Sequence, residues 1–191
     1  MYGCHDGQDG TRRVLWAATT YEQLAQGEPM TGETLIFGIC AGVAATLTMD
    51  VLASAFQRIG LTVGAKGQWV GRWYLGIVRG HFVHSNIAVS PELPGEKRAA
   101  LVGHYAIGIA LAVLYFAGAG WLGVSPDAFP VAIGYGFATS VFPWFLVFPA
   151  LGFGSFGLKG PPELRMFTTS LINHLSYGFG LWWIAKVLPL G

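Results

Sequence analysis

The chain has 191 residues, of which 53% are hydrophobic and only 11% are charged. An ordinary soluble domain carries about 25% charged residues, and a chain this short cannot hide such an excess of apolar surface in one core. The composition therefore predicts an integral membrane protein. A formal net charge of +1 leaves no basic face for nucleic acid, and two widely separated cysteines make no disulfide framework.

Residues 1–30 form a polar tail in which two arginines precede only a short apolar patch, so the tail is not a signal peptide. Three interpretations stay open. The tail is disordered, translation starts at Met30 instead of Met1, or the tail forms a short interfacial helix. We expect residues 31–191 to form a single transmembrane helical domain.

Four apolar segments are each long enough to cross ~30 Å of hydrocarbon at ~1.5 Å per residue. They cover residues 33–57, 99–123, 129–156 and 167–189. Pro143 and Pro149 interrupt the third segment and predict a kink in that helix. The expected fold is an all-α polytopic membrane helix bundle with four transmembrane helices and one interfacial amphipathic helix.

The interfacial helix is predicted at 67–80 (GQWVGRWYLGIVRG), which is too short to span. Its apolar residues recur at helical spacing, with Arg72 and Arg79 on other faces. An amphipathic helix lying at the membrane surface fits this pattern. Its aromatic residues are expected at headgroup level: Trp69, Trp73 and Tyr74.

Basic residues set the expected orientation. The connections 58–98 and 157–166 contain eight of the 11 lysines and arginines, and the other side contains three. The positive-inside rule therefore predicts that both connections are cytoplasmic.

Three ionisable residues fall at similar depth on three different predicted spans. Counted from the nearest basic residue, Asp50 lies roughly 12 Å inside the cytoplasmic helix end, His104 roughly 9 Å and His174 roughly 13 Å. Asn173 is next to His174. An unpaired aspartate in a span costs about 3 kcal/mol on insertion scales. We therefore predict that Asp50 faces one or both histidines across a shared polar layer.

Several roles for this polar layer stay open. The polar groups could hydrogen-bond across spans and specify helix packing. They could form a proton or ion pathway. His104 and His174 could instead be axial haem ligands, or hold a divalent metal together with Asp50. No cofactor is required by the sequence, because each histidine stands alone in its helix.

A second candidate site lies in the first long connection, where His81 and His84 follow Arg79. On a helix the two histidines would share a face, and with Glu92 or Glu96 they could bind a metal at the membrane surface. The alternative is an exposed loop with two solvated histidines.

Several stretches carry a family resemblance: TMDVLASAF, VGRWYLGIVRGHFVHSNIA, PGEKRAALVGHYAIGI and NHLSYGFGLW. Over residues 33–189 the chain resembles an uncharacterised bacterial family of small multi-spanning membrane proteins, catalogued as a domain of unknown function. The shared motifs are TMD, GRW, RG-x-F-x-H, PGE, HYAIGI and HL-x-x-G-x-G-L. The resemblance implies a membrane location, here the bacterial inner membrane, and marks these positions as notable. It implies no activity.

The leading functional hypothesis is a non-enzymatic membrane protein, either an accessory subunit or a proton- or solute-linked carrier. Four spans are few for a transporter acting alone, so we expect a homo-oligomer or a partner membrane subunit within the lipid bilayer. The alternative is a haem- or metal-binding redox subunit or enzyme that uses His104 and His174. A third possibility is an assembly module.

Overall fold

The computed structural model describes residues 32–63 and 66–187. The prediction for the tail 1–30 therefore lies outside the described residues. The described ranges are helical and contain no strand, which confirms the predicted all-α class. Five main helices follow in chain order: α1 Gly32–Arg58, α2 Gly67–Val78, α3 Glu96–Leu122, α4 Phe129–Thr139 and α5 Met166–Val187.

Three stretches within these described helices are long and apolar enough to cross a membrane: Leu35–Arg58, Glu96–Leu122 and Phe129–Ala150. The fourth predicted span folds as the 22-residue helix α5. It is more polar than the other three, with a serine, an asparagine and a histidine near its middle. The count of four spans therefore stays a prediction, and the structure shows three.

Helix α4 continues beyond Thr139 through a π-helical turn, Pro143–Val147, into the short helix Phe148–Ala150. Proline has no backbone N–H, and π-helical turns within helices occur frequently at functional sites. The predicted span extends to 156, but the helix ends at Ala150 because positive φ angles follow at Gly152 and Gly154.

Helix α5 packs against both α1 and α4, while α1 also packs against α3. The contact between α4 and α5 requires glycine, because a Cβ on Gly178 would lie 2.5 Å from the carbonyl oxygen of Ala132. Close backbone approach at small residues is typical of membrane helices. The apolar core between these helices includes Ala45, Ala112, Tyr115, Phe116, Tyr177 and Leu181.

A second core lies under α2, where Trp69 and Trp73 are buried. They pack with aromatic and aliphatic residues from the end of the α4 segment. Their position at headgroup level stays a prediction. The Nε1–H of Trp73 donates to the carbonyl oxygen of Phe82 at 2.8 Å. Helix α2 is amphipathic as predicted, and its apolar face packs against this second core.

Arg72 is buried in this region, with only 3% of its surface exposed. Its Nε donates to Oε2 of Glu96 at 2.7 Å and its Nη2 donates to Oε1 at 3.1 Å. Its Nη1 donates to the carbonyl oxygens of Ile87 at 3.1 Å and Ser90 at 2.5 Å. The hydrogen bond to Glu96 raises the pKa of Arg72 above its usual value. Arg72 therefore joins α2, the 87–90 turn and the start of α3. We call these hydrogen bonds of Arg72 to Glu96 and to the two carbonyl oxygens the Arg72–Glu96 clamp.

The neighbouring residues fit the same clamp. A Cβ on Gly71 would lie 1.9 Å from the carbonyl oxygen of Glu96, so only glycine lets α2 approach α3 this closely. Oε2 of Glu96 also accepts from the backbone N–H of Leu93 at 3.0 Å. The GRW and PGE motifs therefore contact each other where α2 packs against the start of α3.

We predict that Arg72→Met destabilises the protein by about 3–5 kcal/mol, because it leaves the Glu96 carboxylate buried without its partner. The measurement is chemical unfolding in mild detergent. Arg79→Met is the matched control, since Arg79 is exposed, and it should change stability by no more than about 0.5 kcal/mol.

Adding Glu96→Leu to Arg72→Met removes the stranded charge and should restore part of the loss. Equal stability of Arg72→Met and Arg79→Met would contradict the role of the clamp.

Candidate functional site

A cavity of about 570 Å³ lies among the five helices and is the candidate functional site. Most of its wall is apolar or aromatic, as in ordinary small-molecule sites. Representative apolar wall residues are Met49, Trp73, Ile107, Phe142, Leu146 and Val147. The polar side chains at its wall include Thr46, His104, Thr139, Ser170, Asn173 and His174.

Asp50 and His104 meet at the seam between α1 and α3. Oδ1 of Asp50 lies 2.9 Å from Nε2 of His104, and the hydroxyl of Tyr105 donates to Oδ2 at 3.2 Å. The pair is not sealed within the protein, because 43% of the Asp50 side chain and 38% of the His104 side chain are exposed. His104 also lines the cavity, so the pair lies beside the candidate site.

His174 is held from α4. Its Nδ1 lies 2.8 Å from Oγ1 of Thr139, and that hydroxyl also lies 2.7 Å from the carbonyl oxygen of Gly136. A hydroxyl has one proton to donate, and a carbonyl oxygen can only accept. The Thr139 proton therefore goes to Gly136, and Nδ1 of His174 carries the proton that Thr139 accepts. In the neutral ring this arrangement leaves Nε2 as an acceptor.

Two further polar atoms on α5 have no hydrogen-bond partner among the described residues. They are Oγ of Ser170 and Oδ1 of Asn173, both buried, and both residues line the cavity. An unpaired buried polar group costs about 1–3 kcal/mol, and such groups are rare in proteins. Two residues of the cavity wall therefore carry hydrogen-bonding capacity that the described residues do not use.

The predicted polar layer is thus divided into two parts. Asp50 contacts His104 directly, whereas His174 hydrogen-bonds to Thr139 instead of Asp50. Asn173 lies beside His174 at the cavity wall, and the two histidines share the cavity.

Ser170 and Thr139 were not predicted from the sequence as residues of the site. Ser170 could have been found, because it precedes Asn173 and His174 by three and four residues and so shares their helix face. Thr139 has no comparable signal, because it meets His174 only through the packing of α4 on α5.

The residues of the second predicted site do not form a metal site in the structure. Helix α2 ends at Val78, so Arg79, His81 and His84 lie in the following loop and not on a helix. Glu96 instead pairs with Arg72. Within residues 32–63 and 66–187, no three His, Cys, Asp or Glu side chains are grouped so that they could hold a metal ion.

Comparison with known proteins identifies the family of the chain. Residues 39–188 match the family model described as Protein of unknown function (DUF2938). The chain belongs to this family. No curated protein and no solved structure gives a significant match. The family and the three apolar helices together describe a membrane protein of unknown activity.

We predict that Asp50→Asn is tolerated better than Asp50→Leu. Asparagine keeps an oxygen that accepts from Tyr105 and a side chain that can pair with His104, whereas leucine leaves both partners unpaired at a cost of about 1–3 kcal/mol. Thermal unfolding in mild detergent measures the difference. Equal loss in the two variants would show that the contacts of Asp50 contribute nothing to stability.

His84 gives a pH-dependent prediction. Burial lowers the pKa of His84, with smaller contributions from His81 and Arg72. Its Nε2 is buried without a partner among the described residues. Because the unfolded chain binds a proton at His84 near pH 6.5 and the folded protein does so only at lower pH, stability falls as the pH drops through this range.

The unfolding midpoint should therefore decrease less between pH 7.5 and 5.5 in His84→Gln than in the unsubstituted protein. His81→Gln is the control, because His81 is exposed, and it should retain most of the decrease, since burial is the largest cause of the lowered pKa of His84. An identical decrease in both variants would contradict the assignment to His84.

Proposed function

We propose that the protein is a four-span carrier that binds a small, mostly apolar molecule in the cavity and exchanges a proton at the Asp50–His104 pair. The observation that carries this proposal is an apolar cavity with unpaired polar atoms of Ser170 and Asn173 at its wall. A side-chain layer that only fixed helix packing would satisfy its polar groups internally.

The partial exposure of Asp50 and His104 supports the proposed exchange of a proton at this pair. Asp50 and His104 contact each other and remain about two-fifths exposed, and His104 is also part of the cavity wall. Intramembrane carboxylate and histidine groups commonly serve in proton relays. A molecule entering the cavity would change the surroundings of His104, which couples occupancy to the protonation of the pair.

The number and orientation of the spans belong to the proposal. Helix α5 has 22 residues, long enough to span, and its contacts with α1 and α4 shield much of its polar surface from lipid. Exposed basic residues at the α1–α2, α2–α3 and α4–α5 connections include Arg58, Arg98 and Lys159. This distribution supports cytoplasmic connections in the bacterial inner membrane.

A second candidate function is that of an accessory subunit. The half-exposed Asp50–His104 pair lies at a depth where lipid would solvate it poorly, so a partner helix or a second copy of the chain could cover it. A haem- or metal-based function has less support, because Nε2 of His104 already contacts Asp50.

The test of the carrier proposal is to fill the cavity. Ser170→Phe places a ring in the cavity from a buried wall position, whereas Ser54→Phe makes the same change at an exposed position outside the cavity. Small molecules extracted from each purified protein are identified by mass spectrometry.

We expect the unsubstituted protein and Ser54→Phe to retain the same apolar compound at near-stoichiometric amount, and Ser170→Phe to lose most of it. Retention by Ser170→Phe, or no bound compound in any of the three proteins, would contradict the proposal.

A further inference from the structure

We propose that the molecule bound in the cavity is an uncharged, largely apolar alcohol or phenol whose hydroxyl group donates a hydrogen bond to the wall formed by α5. This inference rests on the proposed binding function and adds the chemical class of the ligand. It follows from the direction of the hydrogen bonds at three residues: Ser170, Asn173 and His174.

These three side chains form one polar patch. Residues three and four apart lie on the same face of a helix, so Ser170, Asn173 and His174 project from α5 together, and all three line the cavity. The patch is small compared with the apolar wall around it. A ligand that fits the cavity therefore needs one compact polar group on an apolar body.

The patch contains both hydrogen-bond acceptors and donors. The hydrogen bonds of Thr139 leave Nε2 of His174 as the free, accepting nitrogen. Asn173 offers both an accepting Oδ1 and a donating Nδ2, and Oγ of Ser170 can both donate and accept. A ligand group that only accepts, such as a ketone or an ether, would leave Nε2 of His174 unpaired. A hydroxyl group can donate to Nε2 and still accept from Ser170 or Asn173.

The charged residues at the cavity wall argue against a ligand that binds the patch through a charged group. A bound ammonium group requires a carboxylate partner when it is removed from water. Lys66 is the one Asp, Glu, Lys or Arg side chain among the described residues that line the cavity. Its Nζ lies 4.9 Å from the centre of the Trp69 ring, in the α2 wall instead of the α5 patch. An uncharged hydroxyl therefore matches the patch better than an amine or a carboxylate.

The experiment compares two probes with the same apolar body, 4-hexylphenol and its methyl ether 4-hexylanisole. The full-length protein is reconstituted in lipid nanodiscs, and binding is followed by the fluorescence of its own tryptophans, since Trp69 and Trp73 line the cavity. The ratio of the two affinities is compared among proteins, so that unequal partitioning of the probes into lipid cancels.

The variants are Asn173→Leu and His174→Phe, with Thr48→Val as the control. Thr48 lies in α1 and its hydroxyl donates to the carbonyl oxygen of Ala44, away from the cavity wall. We expect the phenol-to-ether affinity ratio to fall about tenfold, the value of one hydrogen bond, in Asn173→Leu or His174→Phe. Thr48→Val should keep the ratio of the unsubstituted protein.

The outcomes separate the two proposals. If both probes bind and the ratio is the same in every protein, the hydroxyl assignment is overturned while apolar binding in the cavity stands. If neither probe binds the unsubstituted protein, the proposed function is contradicted as well. Weaker binding of both probes with an unchanged ratio would make the α5 patch structural and would also overturn the assignment.

Discussion

The buried ion pair between Arg72 and Glu96 is the interaction on which the rest of the structure depends. It fixes the short helix α2 to the start of α3, and the same guanidinium holds the 87–90 turn through two carbonyl oxygens. Helix α2 contributes Trp69, Trp73 and Tyr74 to the cavity wall. Together with the apolar packing of Trp69 and Trp73, the clamp holds this wall of the cavity in place.

Helix α5 contributes polar side chains to the cavity wall, and the protein pairs only some of them. The described residues around it satisfy part of its polar surface, as when Thr139 pairs with His174 and the hydroxyl of Tyr177 donates to the carbonyl oxygen of Gly108 at 2.6 Å. Ser170 and Asn173 stay unpaired. A helix that packs against two others can tolerate such groups better than one facing lipid, and unpaired polar atoms in an apolar cavity favour a ligand that completes them.

The sequence predicts the helices well, because long apolar segments and proline positions determine them locally. It also predicts that Asp50 meets a histidine, since equal depth in antiparallel spans restricts the possible partners. It does not predict the burial of Arg72 or the partner of His174. Arg72 was expected on a face other than the apolar one, but α3 covers that face because Gly71 allows close approach. Such contacts depend on tertiary packing, which helical periodicity does not contain.

The most direct test of the central claim is a crystal structure of the protein purified from its native membrane in a mild detergent and crystallised in a lipidic mesophase. The account predicts elongated density within the cavity, with one end in hydrogen-bond contact with Asn173 or His174 and the remainder along the apolar wall. A cavity that is collapsed, or that contains only ordered water pairing Ser170 with Asn173, would contradict it.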